Sequence, residues 1–154
     1  MSQPGRITIR PMMETDLDAV LAIEQASFSS PWKKDHFRHE LEAAHSFPLV
    51  GLLDGKLAGY VCLMSLFEEA QILDIAVDPA WRGQGVALQL MEQAISLALE
   101  KGAEVLALEV RTSSIPAITL YERLGFSRTG IRPRYYDGKE DALLMEKTLN
   151  RVEI

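Results

Sequence analysis

Three groups of residues in this chain have types and spacings suited to chemistry. The first lies within the run Leu73 to Met91. An apolar strand ends at Val77 and Asp78-Pro79 breaks it. Arg82-Gly83-Gln84-Gly85-Val86-Ala87-Leu88 then turns directly into an amphipathic helix. A helix N-terminus carries backbone N–H groups without intrahelical partners, at the positive end of the helix dipole. Such a segment suits an anion such as a phosphate. Gly83 and Gly85 alone say little; strand, break, glycine turn and helix in that order say more. An ordinary strand-to-helix loop is the competing account.

The second group is Glu109, inside the apolar run Val105–Val110. A carboxylate there costs free energy unless it is paired, solvated or used. A general base, acting directly or through a water, accounts for it. So does a wet strand end that points the side chain to solvent. Asp74 poses the same question one strand earlier, where a β-bulge would turn it to either face; it ranks behind Glu109. The third is Tyr121, on a helix face with Ala117, Leu120 and Leu124. On spacing alone, a core tyrosine with a satisfied hydroxyl is the better account.

Other polar clusters point less far. His36 and His39 are three apart on one helix and His45 follows, but no cysteine or carboxylate set has ligand spacing, so no metal is expected. Glu68 and Glu69 read as a solvated loop. Arg128, Arg132, Arg134, Tyr135 and Tyr136 form a basic–aromatic patch, fit for stacking bases or for plain surface packing.

These residues need elements to hold them. Arg6–Arg10 alternates as a first strand. Thr15 is a candidate N-cap for a helix through Ser27, with Leu17, Val20 and Leu21 inward. Ser30-Pro31 reads as an N-cap and first helical proline, opening a second helix to Ala44 that buries Phe37 and Leu41. Leu49–Leu53 and Lys56–Leu66 flank Asp54-Gly55, a hairpin signal, and Ala70–Val77 should pair antiparallel with the second arm. The helix after Gly85 turns Leu90, Met91, Ala94, Leu97 and Ala98 to one face and Gln89, Glu92, Gln93, Ser96 and Glu100 to the other. Gly102 suits its end. Val105–Val110 reads as a strand covered on both faces, parallel to the preceding one through a right-handed crossover. A short helix with Pro116 in its first turn runs to Gly125. Phe126–Ile131 and Ala142–Lys147 complete a β-α-α-β-β-β-α-β-α-β-β order of mixed α/β class.

The chain has 154 residues, 47% hydrophobic and 25% charged, which fits one soluble domain over 1–154. A net charge of −6 argues against duplex nucleic acid and is compatible with a basic protein partner. Cys62 is the sole cysteine, so no intramolecular disulfide forms. The N-terminus has no apolar h-region and no run is long enough to span a bilayer, so a reducing cytoplasm is expected.

The unit of strand, Val-Asp-Pro, Arg-x-x-Gly-x-Ala and helix resembles the acetyl-CoA pyrophosphate loop of the Gcn5-related N-acetyltransferase (GNAT) superfamily. Leu120-Tyr121-Glu122-Arg123-Leu124-Gly125-Phe126 resembles that superfamily's Leu-Tyr-x-x-x-Gly-Phe segment, whose tyrosine protonates the departing thiolate. Five further segments are similar to the ribosomal-protein-alanine N-acetyltransferase (RimI) family over nearly the whole chain. They are Phe28-x-x-Pro31-Trp32, Phe37-x-x-Glu40-Leu41, Ile75-Ala76-Val77-Asp78-Pro79, Leu108-Glu109-Val110-Arg111 and Arg134-Tyr135-Tyr136 with Gly138-x-Glu140-Asp141-Ala142.

The resemblance implies the GNAT fold, with Glu109 as proton acceptor and Tyr121 as proton donor. It implies that Ile75, Ala76 and Val77 contact the acetyl and pantetheine part of acetyl-CoA, while Gly83 to Leu88, after Arg82, cradle its phosphates. Ser114 stands where the family often has a cofactor-contacting Asn, so that contact is shortened or lost. The implied activity is acetylation of a protein α-amino group, most of all an N-terminal Ala on a small-subunit ribosomal protein, by a monomer or weak dimer. A lysine side chain or small-molecule amine as acceptor, or a silent acyl-CoA-binding module, are the alternatives.

Overall fold

The computed structural model describes residues 7–149. The expected order of elements is present: β1 Ile7–Pro11, α1 Leu17–Ser27, α2 Lys34–Glu42, β2 Ser46–Leu53, β3 Lys56–Leu66, β4 Glu69–Val77, α3 Val86–Glu100, β5 Val105–Arg111, α4 Ile115–Arg123, β6 Ser127–Tyr136 and β7 Glu140–Thr148. One sheet runs in the order β1-β2-β3-β4-β5-β7-β6. Only β4 and β5 pair parallel, as a strand–helix–strand crossover requires; the other neighbours are antiparallel. Asp54 and Gly55, at φ 52° and 79°, form the two-residue hairpin turn that joins β2 to β3.

The sheet is covered on both faces. On one, Leu90, Met91, Ala94 and Ala98 of α3 and Ile118 of α4 pack on Val61, Leu63, Leu106 and Leu108. On the other, Leu17 and Val20 of α1 and Phe37 of α2 pack on Val50, Tyr60 and Cys62. Helix α3 lies close to the sheet because β3 offers a glycine beneath it. A Cβ on Gly59 would stand 2.8 Å from the Ala76 carbonyl and 3.2 Å from Val86.

The feature that positions the site is a bulge in β4. Ile72 pairs with Leu63 and Asp74 with Cys62, so Leu73 is the extra residue. A bulge bends its strand and reverses the facing of the residues beyond it. The pairing of β4 with β5 covers only Glu69–Gln71 against Val105–Ala107. Beyond Gln71 the strands splay, and the β5-facing edge of β4 from Ile72 to Val77 has no strand partner. After the bulge Ile75 and Val77 pack toward α3, and Ala76 joins the core under α1 and α2. Asp74, two residues from Ala76, therefore faces the α1–α2 side.

Several local expectations are corrected. Thr15 is not the N-cap of α1. It lies inside a 3-10 turn, Glu14–Asp16, where the Asp16 side chain accepts from the Met13 amide at 2.8 Å and pairs with Arg10. Ser30-Pro31 does not open α2, which starts at Lys34 and ends at Glu42 rather than Ala44. The reason is tertiary: the Ser30 hydroxyl donates to Asp137, more than a hundred residues away, which holds the loop extended. Glu69 belongs to β4 rather than to a loop. The strand β5 is not covered on both faces. Leu106, Leu108 and Val110 are buried and the residues between them half-buried. Strands β2, β6 and β7 run longer than their apolar runs suggested, because ladder hydrogen bonds carry pairing past the core. Arg6 lies outside the described residues.

Candidate active site

The splay opens a groove of about 780 Å³ that passes from one sheet face toward the other. Its walls are Phe28, Ser30 and Trp32 of the α1–α2 segment and Tyr135 and Tyr136 of β6, with β4 and β5 as floor. Glu109, Tyr121, Asp74, Ile75 and Ser114 all line it.

Glu109 faces the α1–α2 side, because its neighbours Leu108 and Val110 are buried under α3 and α4. Its Oε1 lies 3.3 Å from Arg132 Nη1. Burial and a hydrogen bond to Glu109 push the Tyr135 phenol up; burial and the Glu109 charge push Tyr136 up to about 12. The β6 bulge between Arg132 and Tyr136, with Arg134 at φ 52°, bends these aromatics over the groove.

Tyr121 comes from the other side of the splay. Its ring is core, 5.9 Å from Phe126 and 6% exposed, yet the residue also lines the groove. Burial first, then Tyr136 and Asp74, push its phenol up to about 12, so it holds its proton at neutral pH. Ser114 stands at the start of α4 without using its side chain as a cap.

Asp74 and Glu109 flank the mouth of the splay from adjacent strands, on the same face. Burial and the neighbouring Glu24 push Asp74 up to about 10. An acid that holds its proton at neutral pH does not take up another, so Asp74 is poorly suited to act as a base there.

The glycine loop has the geometry of a cradle. Gly83 and Gly85 sit at φ 79° and 81°, and a Cβ on either would project into open space. The first α3 hydrogen bond runs from the Gln89 amide to the Gly85 carbonyl, so the amides of the preceding turn have no helical acceptor. Ile75 lines the groove; Ala76 and Val77 continue along the unpaired edge of β4 toward the loop, with Ala76 buried. Arg82 turns away, its Nε donating to the Val77 carbonyl at 3.3 Å. Gln84 is exposed, Val86 is buried core, and Ala87 and Leu88 are half-buried.

Sequence reasoning missed two parts of the site. Glu24 is 2% exposed and accepts from the Tyr60 hydroxyl at 2.5 Å and the Trp32 amide at 2.9 Å. The signal was present: Glu24 continues the inward series Leu17, Val20, Leu21 by one more helical turn. The second is a clasp across the groove end. Asp137 accepts from Ser29 at 2.7 Å, from Ser30, and from Arg111 at 3.4 Å, while Arg111 also pairs with Glu140 at 3.2 Å and lies over Tyr136. No spacing along the chain announces contacts between the α1–α2 and β6–β7 loops.

Comparison with known proteins decides the family. The model of the acetyltransferase (GNAT) family matches residues 17–126. The chain belongs to the GNAT family. This GNAT protein is 45% identical over 147 residues to a putative [ribosomal protein bS18]-alanine N-acetyltransferase of Bacillus subtilis, covering 94% of this chain and 97% of the relative. It is 39% identical to the [ribosomal protein bS18]-alanine N-acetyltransferase of Escherichia coli, over 90% of this chain and 95% of that one. The crystal structure of the Escherichia coli ribosomal-protein-S18-alanine N-acetyltransferase superposes with a TM-score of 0.88 at 34% identity, covering 96% and 97% of the two chains. The GNAT protein has no group of three His, Cys, Asp or Glu side chains placed to hold a metal among its described residues, and no described helix is long and apolar enough to cross a membrane.

Proposed function

We propose that this protein transfers an acetyl group from acetyl-CoA to the α-amino group of an N-terminal Ala, on a small-subunit ribosomal protein of the bS18 kind. The observation that carries the reading is that Glu109 and Tyr121 line one groove, from opposite faces of the sheet, at a splay whose β4 edge is unpaired. The names of the relatives supply the acceptor.

Acetyl-CoA supplies a thioester carbonyl for attack and a thiolate as leaving group. Gly83 to Leu88 are suited to its phosphates through backbone amides, with Gly83 and Gly85 leaving room for close approach. Ile75 to Val77 lead from that loop along the unpaired edge to the groove, and an N–H there can donate to the carbonyl oxygen as charge develops. Glu109 takes the proton released when the amine attacks. An α-amino group has an ordinary pKa near ~8, so much of it is already neutral near pH 7.5 and the base has a modest task. Orientation of the amine then matters more. Tyr121 donates toward the departing sulfur. Its burial raises its own pKa, and the same dry setting raises the proton affinity of the thiolate.

The test is mass spectrometry of peptides with different first residues after incubation with acetyl-CoA. Acetylation at the α-amine of Ala-starting peptides is expected. Modification confined to lysine ε-amines or to small amines, or binding of acetyl-CoA without any product, overturns the reading.

A further inference from the structure

A buried carboxyl group, Glu24, and a half-buried one, Asp74, stand in this groove without a cation among the described residues. Glu24 has committed both oxygens, Oε1 to the Tyr60 hydroxyl and Oε2 to the Trp32 amide. Asp74 comes against it from β4, and its Oδ2 is buried with no hydrogen-bond partner among the described residues. Neither takes part in an ion pair among the described residues. Two unpaired negative charges side by side in a dry setting are too costly to persist, and a buried oxygen without a donor costs about 1–3 kcal/mol. A single proton on Asp74 Oδ2, donated to Glu24, removes both penalties. It leaves one charge, held by three donors, and one neutral acid on a residue that lines the groove, with its other oxygen, Oδ1, left to accept.

We propose that Asp74 is a positioning residue: it shares one proton with Glu24 and, as an uncharged acid, seats the acceptor amine by accepting an N–H at Oδ1 opposite Glu109. This rests on the reading that the groove takes a primary amine. The chemistry favours an uncharged seat. A second carboxylate beside Glu109 would stabilise the ammonium form, which has no lone pair to attack with. A neutral acceptor orients the nitrogen without that effect, and Glu109 alone takes the proton. The arrangement also ties the seat to the groove wall. Glu24 holds the Trp32 amide, and Trp32 stacks on His36 at 3.7 Å. The other titratable groups around the pair are Tyr60 and Cys62 on β3, Glu40 and His36 on α2, Tyr121 on α4 and Glu109 on β5. Burial pushes Tyr60 and Cys62 up, so both stay protonated and neither supplies a counter-charge.

The test uses the full chain and three substitutions. Difference infrared spectra of wild type against Asp74→Asn at neutral pH should contain the carbonyl band of a protonated carboxylic acid. Carboxylate bands alone overturn the shared proton. This readout needs no turnover, so it stands apart from whether an N-terminal Ala is acetylated. With an amine substrate, Asp74→Leu should raise the peptide KM about tenfold, the worth of one lost hydrogen bond, and leave the acetyl-CoA KM in place. Asp74→Asn should rescue most of that loss, because its amide NH₂ donates to Glu24 and its carbonyl accepts. Glu24→Gln frees Asp74 to ionise and should move the acid limb of kcat/KM to higher pH. Peptide kinetics indifferent to Asp74→Leu overturn the seat. So does an Asp74→Asn variant that is inactive at low pH and recovers at high pH, which would make Asp74 the base.

Discussion

Glu109 and Arg132 meet at 3.3 Å across the top of β7, from strands that are not neighbours in the sheet. The ion pair holds the carboxylate at the groove wall. It also sits where a basic side chain can be displaced by an incoming amine. Glu109→Gln should therefore lower kcat/KM by about 10²-fold at mildly acidic pH, the usual scale for a lost general base. The deficit should shrink as pH rises and the free amine becomes abundant. A pH–rate series on one Ala-starting peptide checks this, and equality with wild type at low pH would make Glu109 structural.

Tyr121 serves as core and as groove lining at once, and one atom separates the two roles. Tyr121→Phe keeps the ring against Phe126 and removes the hydroxyl. Turnover should fall by about 10²-fold with acetyl-CoA affinity and melting temperature little changed. Single-turnover rates and thermal melts on the same sample decide it. A lowered melting temperature with near-normal chemistry points to a purely packed tyrosine.

At Gly85 the substituted side chain would enter open space, so the cost is not a clash within the protein. It is the φ of 81°, unfavourable for a β-branched residue by about 1–2 kcal/mol, together with obstruction of anything bound at the loop. Gly85→Val should weaken acetyl-CoA binding by at least tenfold in a protein that remains folded. Calorimetric titration measures it, and an unchanged dissociation constant removes this loop from the cofactor site.

Gly59 makes the opposite prediction. Its Cβ would meet the Ala76 carbonyl at 2.8 Å, and that carbonyl belongs to backbone paired in the sheet. Gly59→Ala should cost about 1–3 kcal/mol, the range for overpacking, by pushing α3 or β4 outward. Urea unfolding reads the loss directly.

The acid pair makes stability depend on pH in an unusual direction. Asp74 keeps its proton in the folded state up to about pH 10, whereas in the unfolded chain it loses it in the ordinary carboxylate range. Between those limits the folded state binds more protons, so this group's contribution to stability falls as pH rises, by up to about 1.4 kcal/mol per pH unit. It is fully present only below the ordinary range. Asp74→Asn removes the titration. Its denaturation midpoint should be flatter from pH 5 to pH 9 and higher than that of wild type at the alkaline end. Parallel curves for the two proteins would show that Asp74 ionises normally.

By itself the sequence determined the elements and much of the chemistry they carry. Apolar periodicity marked α3 and the hairpin arms, because burial of one face repeats at a fixed interval along the chain. Asp54-Gly55 marked the turn, and a proline break with a glycine loop marked where α3 begins. These signals are local: each depends on residues within one or two turns of one another. Only the tertiary structure decided what depends on distant partners. The bulge at Leu73, which opens the splay and aims Asp74 toward α1, depends on how β4 registers against β3. The late start of α2 depends on Asp137 capturing Ser29 and Ser30. The pairing of Glu24 with Asp74 brings together residues on α1 and β4 whose separate burial is cheap to read and whose meeting is not. Carboxyl ionisation is set by whatever surrounds the group in space. A sequence fixes the order of groups, and the fold alone fixes which of them share a proton.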